Sequence, residues 1–327
     1  MNTIARGTER NLTAANAERA PSTEADFRTG FAVPTSYLDI GYAKVAYYRF
    51  GEEGPDLFFV HGWPVSAMTF RRVLPWFASR YRCHLIDLPG AGQSRCDDAS
   101  KIEIAAHAAA VRRIVNELRL ERFAYVAHDS GAVIARMAAA DDERVAALVL
   151  AGTEIPGYHP PAVKMYVALS KVPFAPGLLR RLMRLRAVRT SPVGFGGCFA
   201  DPAYGEGEFR QLFIEPLLAS KAGFDESMAL MASVDFKLID ELSNVHRRIH
   251  APTELIWGTR DPFFPIALAR KMTPEFAGGA EFDEIENAKL FSHEDHPSQF
   301  AALAMRFLER QLGADRAEQA IPRTRSA

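Results

Sequence analysis

The chain has 327 residues, of which 48% are hydrophobic and 24% charged, enough to bury one large core or a core carrying an inserted second domain. Its formal charge of -1 excludes a global positive field of the kind that gathers nucleic acid. Three scattered cysteines, Cys83, Cys96 and Cys198, exclude a disulfide framework and a cysteine metal cluster, and they fit a reducing cytoplasm.

The opening stretch "MNTIARGTERNLTAANAERAPSTEADF" lacks the apolar run of a secretory signal and reads as a flexible polar leader over residues 1–30. Strands are expected at "KVAYYRF" and "DLFFV", a helix at "SAMTFRRVLPWFASR" and a strand at "RCHLIDL". Next come an amphipathic helix, "KIEIAAHAAAVRRIVNELRL", a strand, "RFAYVAH", a short helix from Gly131 and the strand "VAALVLAG". Strands alternating with helices predict an α/β fold, a mainly parallel sheet with helices on both faces.

The alternation stops after residue 154 and resumes near residue 247 with "TELIWG", "FPIALARKM", "AEFDEIE" and a last helix from about Pro297. Residues 155–246, rich in Pro, Gly, aromatics and helix-like pieces, are therefore expected to form a helical cap inserted between core segments 31–154 and 247–313. Residues 314–327 read as a flexible tail. The basic run "LLRRLMRLRAVR" inside the cap reads as a solvated helix face. No segment holds the roughly 20 apolar residues of a membrane span. Neither a nucleic acid nor a membrane is expected as a partner.

The chemistry centres on "FAYVAHDSGAVIAR", where Asp129 and Ser130 stand side by side after a strand. A nucleophile on a sharp strand-to-helix turn needs small residues two before and two after it, because the backbones crowd there. Around Asp129 these are Ala127 and Gly131; around Ser130 they are His128 and Ala132, and the histidine is too large. The turn thus presents Asp129, whose carboxylate attacks carbon without first losing a proton to a base. An N-cap at an ordinary helix start explains the same residue. The stretch "FFVHGWP" tips the balance. It ends a strand in a loop whose amides, Trp63 with Ser130, would form an oxyanion-type pocket, with His61 fixing the loop.

With "HGWP", "DLPGAGQS", "HDSGA", "IWGTRDPFFP" and "HEDHP" in that order, the chain resembles the α/β-hydrolase family from about Tyr37 to Leu312. It most resembles the capped branch with an Asp nucleophile: epoxide hydrolases, haloalkane dehalogenases and haloacetate dehalogenases. The resemblance implies attack by Asp129 on carbon, an ester to the enzyme, and a histidine-activated water that breaks it. It places the acid that orients the histidine on Asp261, with Glu154 as the alternative position.

The chain departs from that pattern at the histidine. Relatives read like "NAGHF", and that register puts Lys289 and Leu290 on the Gly-His pair. Leu290 takes no proton. His293 lies three residues further on and is the candidate replacement, with His296 in the same segment. Three outcomes stay open: a hydrolase with a relocated base, a single-turnover or ligand-binding homologue, or a chemistry that needs no ester hydrolysis.

Substrate expectations also come from the resemblance. The arginines that hold a halo-acid are replaced by Ser130 and Val133, and the tryptophan that grips a halide directly after the nucleophile is replaced by Ser130. Trp63 could supply an indole N–H in its place. The two cap tyrosines of epoxide hydrolases have Tyr158, Tyr166 and Tyr204 as candidates. Opening of a carbon–halogen bond or an epoxide on an apolar small molecule is therefore the expected activity, with a serine esterase acting through Ser130 as the alternative enzyme. No cofactor or metal is expected, and "VGFGGCF" lacks the strand-to-helix setting of a phosphate loop.

Overall fold

A computed structural model describes residues 24–192 and 194–319, with side chains to residue 313. The centre is a nine-stranded sheet. In chain order its strands are β1 (Ser36–Asp39), β2 (Ala43–Phe50), β3 (Asp56–Val60), β4 (Arg82–Ile86), β5 (Arg95–Cys96), β6 (Phe123–His128), β7 (Val145–Ala151), β8 (Thr253–Gly258) and β9 (Ala280–Ile285). They lie side by side as β1-β2-β4-β3-β6-β7-β8-β9, with β5 paired to β2. From β4 to β9 every pairing is parallel, whereas β1, β4 and β5 run antiparallel to β2.

Period-2 alternation divides the core between the two faces of the sheet. Phe58, Val60, Tyr125, Leu148 and Leu150 pack on one face, continuous with the inner side of the inserted helices. Leu57, Phe59, Val126, Ala147 and Val149 pack on the other, under the long helix Pro297–Gln319. Strands β6 and β8 are buried at every position, as expected of central parallel strands covered on both sides. The edge strand β9 is instead blunted by charge: Glu281, Asp283 and Glu284 pair with Arg310, Arg306 and Arg270.

Helices fill the chain between β7 and β8, where the cap was expected. Other expectations need correction. Leader residues Glu24–Gly30 form a helix because Phe27, buried beside Phe50, gives them an apolar anchor; residues 1–23 lie outside the described part. The last helix runs on to Gln319, past the expected start of the tail at 314, and residues 320–327 are again outside. The helix expected over 66–80 is broken into Ala67–Arg72 and Leu74–Phe77, with Pro75 permitted only because it opens the second piece. The short strands β1 and β5 were not expected; β1 has mostly exposed side chains and so carries no alternation signal.

Candidate active site

The turn after β6 is the pivot of the site. Asp129 has φ 54 and ψ -138, outside the helical and extended regions, and the helix Ser130–Ala139 begins immediately after it. Such a conformation is strained for a residue with a side chain and persists only where the surroundings hold it. The surroundings are two close backbone approaches. A Cβ on Gly131 would stand 2.3 Å from the His61 carbonyl oxygen, and one on Gly62 would stand 2.5 Å from Asp129 Oδ2. Both positions require glycine, so the β3 loop and the elbow lock together with nothing between them.

This contact aims the loop at the carboxylate. The Trp63 amide donates to Asp129 Oδ2 at 2.9 Å, and the Ser130 amide donates to the same carboxylate. His61 fixes the loop, accepting the Leu88 amide at Nε2 over 2.9 Å while Nδ1 donates to its neighbouring Gly62 carbonyl. The Ser130 hydroxyl accepts from the Trp63 amide at 3.1 Å and lies 3.4 Å from Asp129 Oδ2. Among the described residues no histidine is hydrogen-bonded to it.

Asp129 and Ser130 open into a cavity of about 80 Å³. Its walls are mostly apolar, with Tyr166, Phe195, Met231, Phe263, Leu290 and Phe291 prominent, and Glu154 and Cys198 are the other ionisable side chains besides the tyrosine. Burial and the facing Glu154 push the Asp129 carboxyl up, to about 8, against the pull of its two amide donors. Glu154 is raised by burial too. Two carboxyls in one apolar cavity do not both ionise readily, so each raises the proton affinity of the other.

A buried relay positions Glu154. The Arg136 guanidinium is fully buried; it donates to Thr153 Oγ1 at 2.8 Å, to the Glu154 carbonyl at 3.0 Å and to His246 Nε2 at 2.9 Å. The Thr153 hydroxyl faces both the Asp129 carbonyl, at 3.0 Å, and Glu154 Oε2, at 2.9 Å. One hydroxyl thus ties the elbow to the second carboxyl. Sequence reasoning passed over Arg136 and Thr153; a lone arginine in the otherwise apolar helix "SGAVIARMAA" was the available signal.

The remaining expected residues divide sharply. Asp261 follows β8, and its Oδ1 accepts the amides of Phe263 and Phe264 at 2.8 and 3.0 Å. Its Oδ2 is buried without a partner, and burial raises the carboxyl to about 7. Leu290 lies in the cavity wall, where the family register places the base.

His293 is not brought to the site. It is fully buried among Phe70, His128, Phe291 and Phe300, bonds through Nε2 to Thr69 Oγ1 at 2.8 Å, and is absent from the cavity wall. The short helix Ser292–Asp295 turns its side chain toward the core side opposite Leu290. Apolar burial with Arg71 and Arg72 nearby lowers it to about 3, too weak a base for neutral pH. His296 is likewise absent from the wall.

Of the tyrosines, only Tyr166 lines the cavity, with its ring 5.9 Å from that of Trp63. Tyr158 packs against the core outside the wall. Tyr204 is held elsewhere: its hydroxyl donates to Glu294 and accepts from Arg71 Nη2 at 2.7 Å, in a buried ionic cluster. The Trp63 indole does not point N–H into the cavity either; it donates to the carbonyl and hydroxyl of Ser227 in the cap, at 3.1 and 2.7 Å. Among the described residues no group of three or more His, Cys, Asp and Glu is arranged to hold a metal ion.

Comparison with known proteins agrees with this architecture. A family described as alpha/beta hydrolase fold matches residues 55–189, and the chain has the α/β-hydrolase fold. Haloalkane dehalogenase 2 of Mycobacterium tuberculosis is 25% identical over 273 residues, covering 81% of this chain and 92% of the relative. The pimeloyl-[acyl-carrier protein] methyl ester esterase of Aeromonas hydrophila is 24% identical over 277 residues, 81% of this chain and 99% of the relative. An epoxide hydrolase solved without ligand superposes with a TM-score of 0.70 at 19% identity, over 84% of this chain and 98% of that one. At that identity the likeness shows the fold.

Proposed function

We propose that this protein is a hydrolase that opens an epoxide on an apolar small molecule through an ester to Asp129. The observation that carries the reading is the Asp129 carboxylate on its elbow, accepting the amides of Trp63 and Ser130 inside an apolar cavity. A carboxylate so held attacks carbon with one oxygen while the amides steady the other. Relatives include a haloalkane dehalogenase. An epoxide is favoured over a halide because the Trp63 indole, the one side-chain N–H donor in the described cavity wall, is taken by Ser227.

Glu154 supplies the proton chemistry that a histidine would otherwise supply. Asp129 attacks a ring carbon, the carbon–oxygen bond breaks, and the released oxygen takes the proton of the Glu154 carboxyl. Glu154, now a carboxylate, takes a proton from water as the water oxygen adds to the ester carbonyl. Glu154 holds that proton while the tetrahedral oxyanion re-forms the carbonyl and expels the alkoxide. The alkoxide takes the acid proton of the carboxyl left on Asp129, so a diol, the Asp129 carboxylate and the Glu154 acid remain. Epoxide plus water has become diol, with no proton gained or lost.

The test is incubation with a panel of apolar epoxides, alkyl halides and esters, following diol, halide and acid release together with intact protein mass. Diol formation abolished by Asp129→Ala supports the reading. Ester cleavage that survives in Asp129→Ala and is lost in Ser130→Ala would replace it with a serine esterase.

A further inference from the structure

The outer face of the cap carries a surface that the cavity chemistry does not use. From Ile155 to Ala200 the chain has no acidic residue, yet it carries Lys164, Lys171, Arg180, Arg181, Arg184, Arg186 and Arg189. The same stretch turns apolar side chains outward. Leu169, Val172, Phe174, Leu178, Leu182 and Leu185 are all exposed, Phe174 to 92%. In the run "LLRRLMRLRAVR", read as a solvated helix face, Arg181, Arg184 and Arg186 face water with Leu178, Leu182 and Leu185 beside them, whereas Arg189 is buried against Glu206.

The geometry is that of a ridge. The helix Ala175–Leu182 buries none of its residues. Phe174 precedes it at a positive φ of 66, at the tip of the turn that leaves the helix Pro161–Ser170. Lys171, Arg181, Arg184 and Arg186 are exposed around this tip. Arg180 instead ties the helix down, donating to the Leu218 and Ala219 carbonyls at 3.0 Å each. Exposed large apolar side chains clustered along one segment in this way mark an interaction surface. An apolar crest bordered by cations, with no acidic side chain in the segment, complements a surface that is apolar within and anionic at its face.

We propose that this face of the cap docks on an anionic lipid bilayer, with Phe174 and Leu178 among the acyl chains and Lys171, Arg181, Arg184 and Arg186 over the headgroups. This is adsorption, since among the described residues no helix is long and apolar enough to cross a membrane. It replaces the expectation that a membrane is no partner. The helix Pro161–Ser170 puts Val163 and Tyr166 in the cavity wall and Met165 and Leu169 on the outside. The docked layer and the cavity are then one helix apart. The proposal stands on the surface alone and does not depend on the chemistry at Asp129.

The experiment is co-sedimentation of the full chain with vesicles of phosphatidylcholine containing phosphatidylglycerol, against vesicles of phosphatidylcholine alone, at low and high salt. Binding that requires phosphatidylglycerol and weakens with salt is expected. Phe174→Ser should lower the partition coefficient by about tenfold, and Arg181→Gln and Arg184→Gln by about fivefold each. All three sites are exposed, so unchanged thermal melts verify the variants. Equal sedimentation with both vesicle types, or binding insensitive to the three substitutions, would overturn the proposal. So would two alternative occupants: concentration-dependent dimerisation abolished by Phe174→Ser, assigning the face to a second copy, or binding of polyglutamate without vesicle binding, assigning it to an acidic polypeptide.

Discussion

Asp261 and Leu290 both border Gly152: a Cβ placed there would stand 3.1 Å from Leu290 Cδ1 and 3.5 Å from Asp261 Oδ2. The carboxylate oxygen on that side has no hydrogen-bond partner, although it is buried. A buried acceptor left unpaired costs stability, and here the neighbour that could donate to it is a leucine. The site keeps an acceptor suited to orienting an imidazole, without the imidazole.

Leu290→His should supply that donor. Its ring would reach Asp261 Oδ2 with one nitrogen and offer the other to a water in the cavity. If breakdown of the Asp129 ester limits turnover, kcat should rise by about 10²-fold, the low end of what a positioned base contributes. Steady-state kinetics of the variant on the best epoxide checks this. No rise, with the variant folded, would mean that ester breakdown is not the slow step.

Asp129→Asn should cost on the order of 10³-fold or more in kcat/KM, whereas Ser130→Ala should cost less than about tenfold because the Ser130 amide survives the change. The two losses measured side by side decide which residue is the nucleophile.

Glu154→Gln removes the second carboxyl while keeping its shape. The expected outcome is slower ester formation, since the opened oxygen loses its proton donor, and still slower ester breakdown, since water is not activated, so that the ester that does form leaves a lasting mass increase mapping to Asp129. Protein mass after short incubation reads this directly. A variant that turns over normally without accumulating ester would remove Glu154 from the reaction.

The pH dependence has a definite sign. Asp129 attacks as the carboxylate while Glu154 supplies a proton, and burial beside Glu154 raises Asp129 to about 8, so single-turnover ester formation should rise from pH 6 as Asp129 ionises and fall again where Glu154 has lost its proton. The same raised value makes folding favour the protonated acid: stability falls as pH rises from the unfolded carboxyl range toward 8 and stays low above it. Asp129→Asn should therefore raise Tm by about 2–4 °C at pH 9 and by less at pH 5.

His293→Ala should damage the fold and spare the chemistry. The ring fills a pocket between Phe70, His128 and Phe300 and bonds to Thr69, so its loss should cost about 2–4 kcal/mol. Denaturant unfolding measures that cost. The turnover number per folded molecule should stay within about twofold of the parent, an outcome incompatible with His293 as the base.

Strand spacing, the small residues around Asp129 and the order of the loops were legible along the chain because they are local. Alternation of apolar positions has period 2, and an elbow excludes side chains two positions from its centre. These features determined the α/β core, the place of the inserted helices and the choice of Asp129 over Ser130 at the turn. Leu290 in place of a histidine was legible too, from its register. Only the tertiary structure decided where side chains face. It turned His293 to the core side and Tyr204 into an ionic cluster, and gave the Trp63 indole to Ser227. It also joined Glu154 to Asp129 through Thr153. Position three residues along a chain does not tell which wall of a pocket a ring will join, and an apolar helix pattern does not tell whether another element covers it. Those outcomes depend on packing between segments far apart in sequence, and for that reason the run read as a solvated helix face carries exposed leucines as well as exposed arginines.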